Sequence, residues 1–478
     1  VLGALFGSYP TAKFGRKLTL LFNGVLFLVG ALGSAVAWDV YSFFIFRFIG
    51  GIGIGISTIA APLFIAEISP ASDRGKLTGL FQFNIVLGIL MAFLSNFIIL
   101  ELTPEALAWR FMLGIQVIPC AIYTFLCCYL PESPRWLIVE KNDLVKGKHV
   151  FGLINPSMTE SQLDNLVNEV KESAKAEIQS KTLKSKFFCR KLLYPILFAF
   201  LIAAFNQLSG INIILYFAPR LLALAGMEDP LAASISLGIT NFIATFIGIR
   251  LIDKLGRKTL LIIGCIGYII SLSVCTYSFF HYSELKVVSS AIDTVNSANH
   301  LIDIQKGTAY FTIEDAKNAN KAYETAKENL YKVTTASNYI VDSESLVGND
   351  IEKVKTVALD IKAQATNNLG SVSSIVLVCM ITFIASHAIG SGTIIWVFIS
   401  EIFPNSVRAK GQSLGSFTHW IFAAGLTLFF PIAISSFDAG FIFGFFAFMM
   451  VLQLIWCVFM MKETKGKTLE TIAREMQI

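Results

Sequence analysis

Long apolar runs, separated by short polar segments, occupy most of the chain. Ten runs approach the roughly 20 residues that an α-helix needs to cross a bilayer, and a partial eleventh opens the sequence at residues 1–11. The ten lie at residues 18–37, 41–66, 77–100, 109–130, 192–218, 231–252, 259–280, 374–399, 412–434 and 439–461. Backbone polar groups must be satisfied internally in lipid, so each run is predicted to be a transmembrane helix. The pattern therefore predicts an all-α membrane protein.

Two longer segments are too polar for the bilayer. Residues 139–190 carry amphipathic helical patches and a basic end, which predicts a short helical linker beside the spans. Residues 283–370 contain three stretches in which apolar side chains recur every three or four positions, as in packed amphipathic helices. We expect an extracytoplasmic helical bundle there that is dispensable for the rest of the fold. Its role stays open among a neutral expansion, a module that binds an unknown partner and an engineered fusion.

The charged loop sequences occur twice. Gly15-Arg16-Lys17 recurs as Gly256-Arg257-Lys258, and the Glu67-Ile68-Ser69-Pro70 sequence recurs around Glu401. The distance in sequence between the two copies is roughly 90 residues larger for the second motif, so an insertion lies between Lys258 and Glu401. Two similar halves are typical of secondary transporters. The predicted units are an N-terminal half at 1–138, a cytoplasmic linker at 139–190, a C-terminal half at 191–282 and 371–461, the insertion at 283–370, and a cytoplasmic tail at 462–478.

Composition and charge narrow the class further. With 55% hydrophobic residues and a mean hydropathy of +0.66, a soluble chain of this length could not cover its apolar surface. Lysine and arginine gather in the loops on one side of the spans, which the positive-inside bias assigns to the cytoplasm. The net charge of +5 thus reflects orientation and does not indicate nucleic-acid binding.

Other features of the sequence argue against an enzyme. The eight cysteines lie in or beside the spans without metal-ligand spacing, so we interpret them as packing residues. The sequence offers no nucleophile–base pair, metal cluster or phosphate loop, and no cofactor is expected. The chain opens inside a partial span and lacks a basic leader, unlike a signal peptide. The symmetry of the halves predicts that one span precedes residue 1.

Several motifs in order resemble the sugar porter family of the major facilitator superfamily, which includes bacterial xylose and galactose symporters and animal glucose facilitators. The resemblance covers the chain apart from residues 283–370, and its strongest elements are Pro131-Glu132-Ser133-Pro134-Arg135-Trp136 followed by Gln207-Leu208-Ser209-Gly210-Ile211-Asn212. It implies a major facilitator fold of two six-span pseudo-symmetric halves, with the first span absent from this chain.

A sugar offers hydroxyl groups and apolar ring faces, so neutral amides and aromatic rings suit it better than charges. Amides inside apolar spans are costly unless they are used, either for a ligand or to join helices. His419 stands where the family usually carries Asn or Gln; a sugar donor, a proton-sensitive group and a core polar residue all stay open for it. The resemblance implies a substrate site made of Gln82, Asn206, Gln207, Asn212, Asn241, Trp396, His419 and Trp420.

A second, charged set lies at the cytoplasmic ends of the spans. The resemblance implies that these residues pair between the two halves and lock the cytoplasmic side when the carrier faces outward. A solvated rim of weak pairs is the alternative. The set is Arg16, Glu67, Arg74, Glu132, Arg135, Arg257, Glu401, Arg408 and Glu463.

The resemblance implies a multi-pass protein of the cell membrane that carries a monosaccharide by alternating access, with lipid as its surroundings. Proton symport and facilitated transport stay open, since the key carboxylate of proton-coupled relatives lies in the first span. A transporter-like sugar sensor and a membrane anchor that displays residues 283–370 are the alternatives.

Overall fold

A computed structural model describes residues 1–69, 74–182, 187–227, 229–306, 313–337, 346, 350–403 and 407–465. The described residues form α-helices, short turns and one 3-10 turn, and they contain no β-strand. Ten helical segments among them are long and apolar enough to cross a membrane. The all-α class predicted from the apolar runs is confirmed.

The described spans of the N-terminal half are built from seven helices. When the spans are numbered as in the family that the sequence resembles, residues 2–14 belong to span 2, and spans 3, 4 and 5 are each a single long helix. Span 6 is divided between two shorter helices that meet near Ile115. In order, the helices are α1 Leu2–Phe6, α2 Ser8–Phe14, α3 Arg16–Val36, α4 Val40–Ile68, α5 Arg74–Leu102, α6 Glu105–Gly114 and α7 Val117–Tyr129.

Three helices follow, within and just before the predicted linker. They are α8 Pro134–Val139, α9 Leu144–Ile154 and α10 Glu160–Thr182. Ile138, Phe151, Leu163 and Val167 are buried together between them. The amphipathic pattern of this segment thus packs onto its own small core.

In the C-terminal half, two spans are each divided into consecutive helices. Span 7 comprises α11 Leu193–Leu208, α12 Ile211–Tyr216 and α13 Ala218–Leu224; span 10 comprises α19 Val372–Ile389 and α20 Ser391–Ile402. The remaining spans are α14 Pro230–Leu255, α15 Arg257–His281, α21 Arg408–Ser436 and α22 Ala439–Phe459.

The described residues of the insertion include three long helices, as the spacing of the apolar residues predicts: α16 Ser283–Gln305, α17 Ile313–Ala336 and α18 Ile351–Leu369. Their buried side chains belong to the same hydrophobic cluster as those of α13 and α15. Burial raises the pKa of Asp293 on α16, and the charge of Arg220 on α13 offsets part of that rise. The insertion is therefore packed onto the outer end of span 7.

The two halves meet on two sides, through three pairs of helices with several contacts each. On one side α5 packs against α14, where the rings of Phe83 and Phe242 lie 4.9 Å apart. On the other side α1 and α4 contact α21. α21 also packs against α11 and α12 of span 7, so it lies between that broken span and the N-terminal half.

Candidate functional site

Two helix breaks lie near the centre of the C-terminal half. In span 7 the break falls at Gly210, whose φ of +87° is open to glycine and strained for other residues. A Cβ at this position would also lie 2.7 Å from the ring of Phe446. In span 10 the break falls at Gly390, with φ −90° and ψ −105°. The break in span 7 falls between Gln207 and Asn212, and Ser391 directly follows the break in span 10.

Three amides beside the first break form a hydrogen-bonded cluster. The Nε2 of Gln207 donates to Oδ1 of Asn206 at 2.8 Å, and Nδ2 of Asn212 donates to Oε1 of Gln207 at 2.7 Å. Asn206 also donates to the hydroxyl of Ser391 at 3.0 Å, across to the break in span 10. Asn206 and Gln207 are 2% and 1% exposed. The sequence Asn206-to-Asn212 thus joins the two broken spans through neutral polar groups.

Aromatic rings border this cluster. Trp396 on α20 and His419 on α21 have ring centroids 5.2 Å apart, and the ring of Trp420 lies 5.2 Å from His419. Gln207 Nε2 lies 3.1 Å and 3.3 Å from the two ring nitrogens of His419. The structure therefore brings Gln207, Trp396, His419 and Trp420 into one place.

Gln82 and Asn241 lie on the two helices that join the halves. Each directly precedes a phenylalanine of the tilted pair Phe83 and Phe242. Asn241 is buried, and the Oε1 of Gln82 is buried without a hydrogen-bond partner among the described residues. The structure places these two amides at the interface of the halves, and it shows no direct contact between them and the Gln207 cluster in its described hydrogen bonds.

Some polar groups of this region were missed by the sequence analysis. Tyr268 and His387 are hydrogen-bonded to each other beside the break in span 10. On α21, Gln412 Oε1 and Ser416 Oγ are buried without partners in the described part of the chain, as is Nε1 of Trp420, which the sequence analysis did name. The spacing of these three residues, four positions apart, could have identified a polar stripe on one helix face.

The start of α3 and the end of α4 are held together by a compact charged cluster. Arg16 makes a two-pronged contact with Glu67, with Nε and Nη2 each 2.9 Å from a carboxylate oxygen. Glu132 accepts from the backbone N–H groups of Arg16 at 2.9 Å and Lys17 at 3.2 Å, where α3 begins. Gly15 has φ +93°, and a Cβ there would lie 2.3 Å from Glu132. The glycine of this motif is thus needed for the carboxylate to reach the helix end.

The C-terminal half repeats this geometry. Arg257 Nη2 lies 2.7 Å from Glu401, whose other oxygen accepts from the Thr464 hydroxyl at 2.6 Å. Glu463 accepts from the backbone N–H groups of Arg257 and Lys258, both at 2.9 Å. Burial alone would raise the pKa of Glu463, but these and neighbouring backbone N–H groups together lower it. The repeated sequences therefore form the same arrangement in each half: an arginine–glutamate ion pair beside a second glutamate that accepts from backbone N–H groups at a helix start.

The described ion pairs of this set join helices within one half, whereas the sequence analysis expected pairs between the halves. Arg16 and Glu67 both belong to the N-terminal half, and Arg257 and Glu401 to the C-terminal half. Arg135 is exposed at the start of α8, and the side chains of Arg74 and Arg408 lie outside the described residues. The physical reason is proximity: each glutamate packs at the end of a span adjacent to its own arginine.

Comparison with known proteins agrees with this architecture. The family described as "Sugar (and other) transporter" matches residues 1–295 and 355–476. The chain is 28% identical to a glucose transport protein of Synechocystis sp., covering 98% of this chain and 85% of that protein. It is 30% identical to a high-affinity glucose transporter of Kluyveromyces lactis, covering 98% and 74%.

A solved structure shares the fold. The inward-open xylose transporter XylE of Escherichia coli superposes with a TM-score of 0.67 at 25% identity, covering 99% of this chain and 86% of that one. The residues 296–354 left out of the family match fall inside the insertion. The repeated charged motifs, the two broken spans and this match together show that the chain belongs to the sugar transporter family, the sugar porters of the major facilitator superfamily.

Proposed function

We propose that this multi-pass membrane protein carries a monosaccharide across the cell membrane by alternating access. The observation that carries the proposal is the buried amide cluster of Asn206, Gln207 and Asn212, bordered by the rings of Trp396 and His419. Neutral amides both donate and accept, which suits sugar hydroxyls, while an aromatic face suits the apolar side of a sugar ring. Curated relatives named as glucose transport proteins and as a D-xylose-proton symporter support this substrate class.

Groups without partners supply the remaining capacity for a sugar. The buried Oε1 of Gln82 is an acceptor and the Nε1 of Trp420 is a donor, and neither has a partner among the described residues. A sugar between the halves would satisfy such groups, which otherwise cost free energy in an apolar bundle. Asn241 adds a second amide on the facing helix. We therefore assign Gln82 and Asn241 to the part of the site that closes when the halves come together.

The charged clusters have a separate role in this proposal. Arg16 with Glu67, and Arg257 with Glu401, fasten the cytoplasmic ends of the spans inside each half, so that each half moves as a unit. Pairs between the halves would then form or break as those units rotate. Arg135 is exposed, and we propose it as a candidate for such a transient contact.

Uptake by purified protein in liposomes tests the proposal. Labelled hexoses and pentoses are supplied in turn, with and without a proton gradient, and liposomes without protein serve as the control. Saturable uptake of at least one monosaccharide is expected, and stimulation by the gradient would identify proton symport. Sugar binding without uptake would instead indicate a sensor, and neither binding nor uptake of any sugar would refute the substrate class.

A further inference from the structure

The break in span 10 is closely packed and held by side chains. The hydroxyl of Thr393 donates to the carbonyl of Ala388 at 2.5 Å, so a carbonyl freed by the break has a partner. A Cβ on Gly264 of α15 would lie 3.0 Å from Cα of Gly390. The backbone of α15 therefore approaches the break closely, and the break has little room to shift.

His387 lies across this break. It belongs to the last turn of α19, and its ring reaches the first turn of α20, where a Cβ on Gly392 would lie 3.0 Å from its Nε2. Its Nδ1 is 2.5 Å from the hydroxyl of Tyr268 on α15. Tyr268 is 0% exposed, so its hydroxyl depends wholly on protein partners.

Ser391 connects this break with the amide cluster. It directly follows Gly390 and lies four residues after His387, and its hydroxyl accepts from Asn206. Asn206 in turn accepts from Gln207. The bend that His387 crosses therefore sets the position of the hydroxyl that holds Asn206.

We propose that Tyr268 and His387 are positioning residues for sugar binding. They fix the bend of span 10 so that Ser391 holds Asn206, and through it Gln207, in the orientation that receives sugar hydroxyls. This inference rests on the proposed function, because it specifies how the same site is kept in order. Networks of buried hydrogen bonds of this kind restrict side-chain orientation more than isolated pairs do.

Four variants test the proposal by sugar uptake in liposomes. Tyr268→Phe removes only the hydroxyl, and His387→Leu removes the ring nitrogens. His387→Asn restores a polar group near the position of Nδ1. The matched control is Tyr277→Phe, because Tyr277 is exposed and lies near the C-terminal end of the same helix.

For Tyr268→Phe and His387→Leu we expect the sugar KM to rise about tenfold, the effect of losing one buried hydrogen-bond partner, while Vmax stays within about twofold. His387→Asn should recover most of the affinity, and Tyr277→Phe should match the parent protein. A purely structural role would lower the amount of folded protein and Vmax together and leave KM unchanged. That pattern, or equal KM values in His387→Leu and His387→Asn, would overturn the proposal.

A sugar-independent measurement separates this inference from the proposed function. Hydrogen–deuterium exchange in detergent should increase in Tyr268→Phe across residues 388–396 and stay unchanged in α22. Unchanged exchange at 388–396, or an equal increase in both segments, would overturn the positioning role even if the parent transports sugar. A parent that neither binds nor transports any sugar refutes the proposed function, while the exchange data still decide whether Tyr268 fixes the break.

Discussion

The amide of Gln207 is the most connected polar group of the candidate site, so we expect its removal to affect sugar affinity most. Gln207→Leu keeps a similar volume and deletes the amide. It removes the contacts to Asn206 at 2.8 Å and Asn212 at 2.7 Å, together with the approach to His419. Two buried polar atoms, Asn206 Oδ1 and Asn212 Nδ2, would be left without these partners.

The magnitude follows from the burial of the site. Each buried group deprived of its partner costs about 1–3 kcal/mol, so two cost on the order of 2–6 kcal/mol. Burial of the leucine side chain returns roughly 1.5–3 kcal/mol, which leaves a net loss in unfolding free energy on the order of 2 kcal/mol. For the sugar, loss of one or two hydroxyl contacts weakens affinity about tenfold to a few hundredfold. The fold should survive while binding is severely reduced.

Isothermal titration with the best sugar of the uptake panel measures this affinity, and thermal unfolding checks that the protein is intact. Gln453→Leu is the matched control, because Gln453 on α22 is equally buried and its amide has no partner among the described residues. That control should bind sugar as the parent does and be no less stable. A dissociation constant for Gln207→Leu within twofold of the parent, in folded protein, would show that the amide cluster only joins helices.

Three further outcomes are expected. Trp396→Leu, which loses the ring beside His419, should reduce uptake per transporter more than fivefold; a change below twofold would assign Trp396 to packing. Glu401→Gln breaks the ion pair with Arg257 and should loosen the end of α20. Labelling from the cytoplasmic side of a single cysteine on α20, in an otherwise cysteine-free protein, should therefore rise. Equal labelling in variant and parent would refute the role of this ion pair. Replacing residues 296–354 by a short Gly/Ser linker should preserve uptake. Replacing residues 283–370 should lower thermal stability, because it uncovers the apolar face of α13. Equal stability of the two deletion variants would refute the packing of the insertion against α13.

The sequence predicted the fold well because the bilayer imposes a simple requirement on it. Apolar runs of sufficient length must become helices in lipid, and the described spans fall where those runs lie. The insertion was equally readable, since the spacing of Val354, Ala358, Ile361 and Ala365 is the spacing of one buried helix face, and all four are buried. Its attachment to span 7 was not readable, because no local pattern records which helices become neighbours.

The candidate site was predicted in part. Gln207 and Asn212 belong to a recognisable motif inside a span, so a cluster of amides could be anticipated from residue type and spacing. The contact between Tyr268 and His387 could not be predicted, because the two residues are 119 positions apart and the sequence around each is equally consistent with a simple packing role. Ser391 joins the cluster only because two helix breaks lie side by side.

The charged motifs show most clearly where the information of the sequence ends. By itself the sequence determined that the Gly-Arg-Lys turns, the glutamates and the two halves repeat, because duplication leaves its mark in residue order. Only the tertiary structure decided that Arg16 pairs with Glu67 and Arg257 with Glu401 inside each half. The reason is geometric: pairing of charges depends on a few ångströms between helix ends, and those distances are set by packing of the whole bundle.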